Sequence, residues 1–340
     1  MPWSQPSGAA KRASVMTIAR RRLLQLAASV AALPLVVSPV RAETYPARPI
    51  RLIVPQAAGG ASDISARLIG QWLSDRLGQP CLIENRPGAG GNIGTEAVVT
   101  AAPDGYTLLL VGSFNTINAT LYDKLSFNFI RDIAPVGGVM RNPLVMAVHP
   151  SLSARTVPEL IAYAKANPGK LNFGSAGNGS PQHMAAELFK MMTGIEMMHV
   201  RYRGSAALLT DLVRGEIQLA FDPIFSSLEH VKSGTLRALA VTTATRAPAL
   251  PDIPAVGEVV PGYESVGWVG IGVPRDTPAQ IVDKLNAEIN AGLADAAIKA
   301  RLTELGGAPL PGSPDELGRL IAEQTERWGK VIRTAQIRAE

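Results

Sequence analysis

The chain has 340 residues, long enough for two domains or one large one, with 33 Lys and Arg against 28 Asp and Glu. Six of the bases and none of the acids lie in residues 1–42, which leaves 27 bases against 28 acids beyond them; the basic total therefore gives no reason to expect a nucleic-acid partner. Cys81 is the sole cysteine, which excludes an internal disulfide and a cysteine-built metal site, and the four histidines form no His-x-x-x-His pair that would mark zinc.

Arg20-Arg21-Arg22 precedes an apolar run over 23–37, and Val40-Arg41-Ala42 closes it. A positive start, a short apolar core and a small final residue read as a secretory signal peptide, cleaved after Ala42. Pro34 and Pro39 make the run too broken for a membrane span. The double arginine also suits the twin-arginine route, so Sec and twin-arginine export both stay open, as does Met16 as an alternative start. The expected location is the periplasm.

From residue 50 onward strand and helix signals alternate. Ile50-Arg51-Leu52-Ile53-Val54 is a short β-branched strand, and 66–73 an amphipathic helix with Leu68, Ile69, Trp72 and Leu73 on one face. The loop between them holds Gly59 and Gly60, with Ser62 or Asp63 expected as the helix cap. Strands follow at 81–85 and 106–111, the first leading into a glycine-rich loop over 86–94 and the second into a strand-end loop at 112–115. A long connection then leads to a strand at 142–148. Helices at 157–166, 182–193, 206–214 and 225–232 alternate with strands at 171–175, 197–202, 217–221 and 236–242. A strand at 265–273 and helices at 278–293, 296–305 and 314–337 close the chain. The alternation predicts α/β architecture with mainly parallel strands. Met191, Met192, Met197 and Met198 read as core filler.

Two loops share one design. Gly59-Gly60-Ala61-Ser62-Asp63 and Gly177-Asn178-Gly179-Ser180 each follow a strand and open a helix. A helix N-terminus offers unpaired N–H groups and the positive end of its dipole, worth roughly 0.3–1 kcal/mol toward an anion. If the loops face each other, both ends converge on one anion, with hydroxyls of Ser62, Ser175 and Ser180 adding donors. Each loop is also readable as a plain tight turn. Asp222, at a strand end, is suited to accept from an amine, a hydroxyl or a water, or to cap a turn. His183 lines the cleft or caps; Ser113 sits at another strand end; Tyr202, with Phe114 and Trp268, is a candidate for distal specificity.

Two enzymatic alternatives match parts of the pattern. Ser180, His183 and Asp222 would compose an exported serine hydrolase, but no Gly-x-Ser-x-Gly elbow is present. The Gly88–Gly94 loop would suit a nucleotide-dependent oxidoreductase, but its spacing is Gly-x-Gly-x-x-x-Gly and it follows the second strand.

Several segments in order resemble the Bug family, the extracytoplasmic receptors of tripartite tricarboxylate transporters. They are Tyr45-Pro46-x-Arg48-Pro49-Ile50, Gly59-Gly60-x-Ser62-Asp63, Glu84-Asn85-Arg86-Pro87-Gly88-Ala89-Gly90-Gly91-Asn92-Ile93-Gly94, Pro103-Asp104-Gly105-Tyr106-Thr107-Leu108, Arg131-Asp132-Ile133-Ala134-Pro135-Val136, Gly177-Asn178-Gly179-Ser180-Pro181-Gln182-His183, Phe221-Asp222, Leu250-Pro251-Asp252-Ile253-Pro254 and Pro274-Arg275-Asp276-Thr277-Pro278. The resemblance implies an α/β, two-domain periplasmic binding protein of type II-like architecture, with a ligand cleft between the domains that closes like a Venus flytrap. Residues 43–143 and 265–340 would form one domain and 144–264 the other. A small carboxylate would be held by the 59–63 and 175–180 loops, with no catalysis, no cofactor and no metal, and the 86–94 loop would be structural. The implied partners are the solute and a membrane permease of the tripartite tricarboxylate type or a sensor, with the protein a monomer. Ala58 and Gln56 stand where the family usually has proline and an aromatic residue.

Overall fold

In this computed structural model residues 45–339 are described, together with Met1 and Trp3; the expected leader otherwise lies outside the described residues. The first half of the chain runs β1 (Ile50–Val54), α1 (Ala61–Leu77), β2 (Cys81–Asn85), α2 (Asn92–Val99), β3 (Thr107–Gly112), α3 (Ser113–Leu121), α4 (Phe129–Asp132) and β4 (Ile133–Val148). The middle runs α5 (Val157–Ala166), β5 (Asn172–Ser175), α6 (Pro181–Thr193), β6 (Met198–Arg201), α7 (Ser205–Arg214), β7 (Leu219–Pro223), α8 (Ile224–Lys232) and β8 (Arg237–Val241). The end runs β9 (Val266–Pro274), α9 (Ala279–Ala294), α10 (Ala296–Glu304), β10 (Ala308–Pro309) and α11 (Pro314–Ala335).

The sheet order is β2-β1-β3-β9-β4-β7-β5-β6, with β8 and β10 also paired to β4. Pairing is parallel within β1, β2 and β3 and within β5, β6 and β7. The expectation of mainly parallel strands fails in the centre, where β9 is antiparallel to β3 and β4, and β4 is antiparallel to β7, β8 and β10. The physical reason is the length of β4: its 16 residues pass from one half of the sheet to the other. Pro143 is its last residue paired with β9, opposite Val266, and Leu144 its first paired with β7, opposite Pro223. Register shifts between Pro135 and Gly137 and between Gly138 and Met140 let the strand carry a proline and two glycines, residues that ordinarily interrupt a ladder.

Each half has its own core. Leu52, Leu108, Leu110 and Ile271 pack under α1 and α9 side chains such as Ile69, Leu73, Leu285 and Ile289. Phe173, Phe189, Phe221 and Tyr263 anchor the other, each side chain contributing about 1.5–3 kcal/mol by burial. Two helices serve both halves. α3 starts at the end of β3 yet buries Ile117 and Leu121 in the Phe173 core. α11 packs Leu317 and Ile321 beside Ile53 and Trp268, and Trp328, Val331 and Ile332 beside Phe173.

Of the four methionines read as filler, Met197 is buried, but Met191, Met192 and Met198 are exposed: the first two lie at the outer end of α6 and Met198 on the edge strand β6. Among the described residues no helix is long and apolar enough to cross a membrane.

Candidate functional site

α1 begins one residue after its glycine pair. Gly60, in extended conformation, is the N-cap, and no side chain caps the helix; the expected capping by Ser62 or Asp63 is not what forms. Both lie inside the first turn. Gly59 has φ +87°, a left-handed value that glycine adopts without a Cβ penalty, and an added Cβ would meet nothing within 4 Å. A Cβ on Gly60 would find only the Ala57 carbonyl, at 4.0 Å. The first turn of α1, with Ala61 and Ser62 half-buried, thus opens onto free space.

Asp63 is turned inward. Its Oδ2 accepts from the Gly59 N–H at 2.9 Å and from Arg67 Nε at 3.0 Å; its Oδ1 accepts from Arg67 Nη2 at 3.0 Å and Asn85 Nδ2 at 2.9 Å. Burial raises its pKa, but the Arg67, Gly59 and Asn85 bonds outweigh burial and hold it below the usual carboxylate range. Asp63 shapes the loop and leaves no carboxylate oxygen without a donor. Asn85 extends the brace by donating to the Gln56 carbonyl at 3.1 Å.

The 177–180 loop is organised by buried imidazoles. Ser175 Oγ bonds His199 Nε2 at 2.6 Å, donates to the Gly177 carbonyl at 3.1 Å and accepts from the Gly177 N–H at 3.2 Å. The Gly179 N–H donates to His183 Nδ1 at 3.2 Å, and the Ser180 N–H to the Gly177 carbonyl at 3.1 Å. Ser180 caps α6, its Oγ accepting from the His183 N–H at 3.3 Å. The His183 and His199 rings stack at 3.9 Å between centroids, and Phe173 stacks on His199 at 4.9 Å. Burial, then the neighbouring His183, push the His199 pKa down to about 3, so the ring is neutral at ordinary pH. Three amides of this loop, those of Gly177, Gly179 and Ser180, are therefore spent internally. Asn178 donates to the Arg338 carbonyl at 3.3 Å.

α3 connects the two loops. A Cβ on Gly179 would fall 2.2 Å from Leu121 Cδ2, and one on Gly91 3.2 Å from the Phe114 ring and 3.3 Å from Gln56 Nε2. The path from the α1 loop runs through Asp63, Asn85, Gln56, Gly91 and α3 to Gly179. Ser113, buried at the start of α3, lies beside Gly267 on the crossing strand β9.

Tyr202 donates its hydroxyl to Asp211 Oδ2 at 3.0 Å, and burial followed by that carboxylate pushes its pKa up to about 12. Asp222 is fully buried in β7. Its Oδ2 accepts from Ser226 Oγ and, at 2.8 Å, from Ser227 Oγ, while Oδ1 has no partner. Burial raises its pKa against the pull of Ser226, Ser205, Ser227 and Gln182.

The hydrolase constellation does not assemble. The His183 ring turns Nδ1 to the Gly179 amide and Nε2 toward Glu187, 3.7 Å away, and Asp222 is committed to Ser226 and Ser227. At the 86–94 loop a Cβ on Gly90 would stand 3.1 Å from Asn118 Nδ2 and the Tyr122 hydroxyl, and one on Gly91 3.2 Å from the Phe114 ring, so the loop packs closely against α3. Gly88, Ala89, Gly90 and Gly91 all have positive φ, and Asn118 Nδ2 holds the Gly90 carbonyl at 3.0 Å. No group of three or more His, Cys, Asp or Glu suited to a metal occurs among the described residues. A depression of about 220 Å³ between α6 and α11 is lined by Glu187, Lys190 and Thr334.

Sequence reasoning missed Arg67, Asn85 and His199. Asp63 and Arg67 are spaced i, i+4 on α1, and that spacing was the readable signal; His199 and Asn85 reach their partners only through strand pairing.

The sequence matches the family described as "Tripartite tricarboxylate transporter family receptor" over residues 65–337. BugT of Bordetella pertussis is 36% identical over 301 residues, covering 88% of this chain and 92% of BugT. Among solved structures, R. palustris Rpa4515 with adipate is 38% identical with a TM-score of 0.78, covering 86% of this chain and 99% of its own. The periplasmic binding protein BugD is 31% identical with a TM-score of 0.75, covering 87% and 100%. The match is to receptors rather than enzymes, and the fold is the two-domain α/β fold of periplasmic binding proteins. The chain belongs to the tripartite tricarboxylate transporter receptor family, a family of periplasmic solute-binding proteins.

Proposed function

We propose that the protein captures a small carboxylate at the open first turn of α1 and releases it unchanged to a membrane permease or a sensor. The observation that carries this reading is the uncapped helix end flanked by Gly59 and Gly60, with empty space where side chains would stand. There the dipole and the unpaired N–H groups favour an anion. The Ser180 hydroxyl closes on the solute from the other half. Adipate in the related Rpa4515 structure is consistent with a carboxylate solute. Residues 45–143 and 265–339 make one lobe and 144–264 the other, hinged where β4 changes partners at Pro143 and Leu144 and where the chain returns before β9. Closure is a shift between open and closed populations, driven by contacts that exist only when both lobes hold the solute. A micromolar site corresponds to about −8.2 kcal/mol. The leader exports the chain, and the mature protein works as a monomer in the periplasm.

A thermal-shift screen of mono-, di- and tricarboxylates, amino acids and aromatic acids tests the reading. A concentration-dependent rise in Tm with at least one acid is expected; no response to any of them contradicts it.

A further inference from the structure

The chain continues past α11 in a short tail. α11 begins in the first half, with Leu317 and Ile321 beside Ile53 and Trp268, and ends in the second, with Trp328, Val331 and Ile332. Gln336 caps it in the left-handed conformation, φ +53°. A non-glycine residue holds that region only where its surroundings fix it. Here they do. The Ile337 N–H donates back to the Ile332 carbonyl at 3.0 Å, and Ile337 and Ala339 pack on the core that holds Phe173 and Met184. The turn at Gln336 thereby lays residues 337–339 against the second half of the molecule.

That tail meets the 177–180 loop. The Arg338 carbonyl accepts from Asn178 Nδ2 at 3.3 Å, across 160 residues of chain. Asn178 stands between Gly177 and Gly179, at φ +126° and +70°. A Cβ on Gly177 would meet only the Tyr202 carbonyl, at 4.0 Å, so packing does not grip that side of the loop. Ser175 and His183 hold the amides of Gly177 and Gly179 from inside. The Asn178 side chain is held from the other direction, by the tail.

We propose that residues 336–339 form a strap that orders the 177–180 loop, and that Asn178 is a positioning residue whose partner is this tail rather than the solute. A residue between two glycines has many conformations to lose on ordering. With the strap in place that loss precedes binding, and Ser180, two residues on, meets the solute already placed. The effect on binding rests on the carboxylate-receptor reading; the ordering of the loop does not.

Three variants of the mature chain test it: one ended at Gln336, Asn178→Ala, and the two combined. Amide hydrogen exchange read by mass spectrometry is expected to be about fivefold faster over 176–180 in each, with 184–193 unchanged. Adipate, the acid in the related Rpa4515 structure, is the probe for calorimetry. It is expected to bind about fivefold more weakly to each single variant, and no more weakly to the combined one, because both changes break the same bond. Exchange over 176–180 equal to the parent's in both single variants overturns the strap. Affinity losses that add in the combined variant make Asn178 a solute contact and overturn it as well. Faster exchange with adipate affinity unchanged overturns the positioning role. Ile337→Gly loosens the tail without changing its length or charge, and replaces the shortened chain if that does not fold. No binding of adipate by the parent counts against the carboxylate-receptor reading, while exchange over 176–180 still decides the strap.

Discussion

Asp63 holds the Gly59 amide at 2.9 Å, four residues back along the chain, and so fixes the glycine pair ahead of α1 in one shape. The same carboxylate takes Arg67 and Asn85, which leaves it no free oxygen for a solute. Asp63→Ala removes the acceptor of all three. The expected result is a loss of about 1–3 kcal/mol of stability, from donors left without partners, and a fall in carboxylate affinity of tenfold or more. Urea denaturation and calorimetric titration read the two effects. Unchanged affinity with reduced stability would separate the loop from the site. Because the native pKa is depressed, the stability from Asp63 is present above its unfolded pKa of about 3.9 and is lost as pH falls through the native value.

Gly179 is set against Leu121. Gly179→Ala places a methyl 2.2 Å from Leu121 Cδ2 at a residue with φ +70°. Steric overlap and backbone strain together cost about 1–3 kcal/mol each, so Tm is expected to drop by several degrees. Adding Leu121→Ala relieves the overlap but not the strain, so the double variant is expected to lose less than the two single costs combined. Strict additivity would place Leu121 away from the loop.

His199 titrates far below a free imidazole. Its native pKa of about 3 lies below the unfolded value of about 6.5, so the stability it contributes is complete above pH 6.5 and is lost as pH falls from 6.5 toward 3. His199→Phe keeps the stack on Phe173 and His183 but loses the bond to Ser175 Oγ. The variant is expected to show a flatter dependence of Tm on pH between 6.5 and 4 than the parent protein. Equal slopes would mean that the ring protonates freely in the folded state.

Much of this was readable in the residues. β-branched runs such as Ile50-Arg51-Leu52-Ile53-Val54, and glycine-terminated amphipathic stretches, placed most strands and helices close to where they form. α3 escaped notice because Ser113-Phe114-Asn115-Thr116-Ile117-Asn118 is poor in strong helix formers, and tertiary burial of Ile117 and Leu121 overrides that propensity. The first half of β4 read as a connection because Pro135, Gly137 and Gly138 punctuate it; the bulges that absorb them are a property of the paired strands, invisible in one strand alone. The α1 loop was legible as an open helix end. The spent amides of the 177–180 loop were not, since they depend on His199, a residue on a neighbouring strand. Asp63 read as a contact because a carboxylate at a helix start so often caps, whereas Arg67 and Asn85 turn it inward.

The leader makes a simple prediction. Expressed with residues 1–42 in a bacterium with an outer membrane, the protein is expected in the periplasmic fraction with Glu43 as its first residue by mass spectrometry. A retained Arg20-Arg21-Arg22 segment in that fraction would contradict cleavage after Ala42.

The central claim is that a solute carboxylate occupies the open first turn of α1. Gly60→Asp tests it most directly by calorimetry, using whichever acid gives the largest thermal shift. Gly60 is extended, with room for a side chain, and aspartate is the better helix cap. The introduced carboxylate takes the N–H groups that the solute needs. Tm unchanged or raised, with affinity reduced at least a hundredfold, is the expected result; a folded Gly60→Asp protein that binds the acid as tightly as the parent would contradict the account.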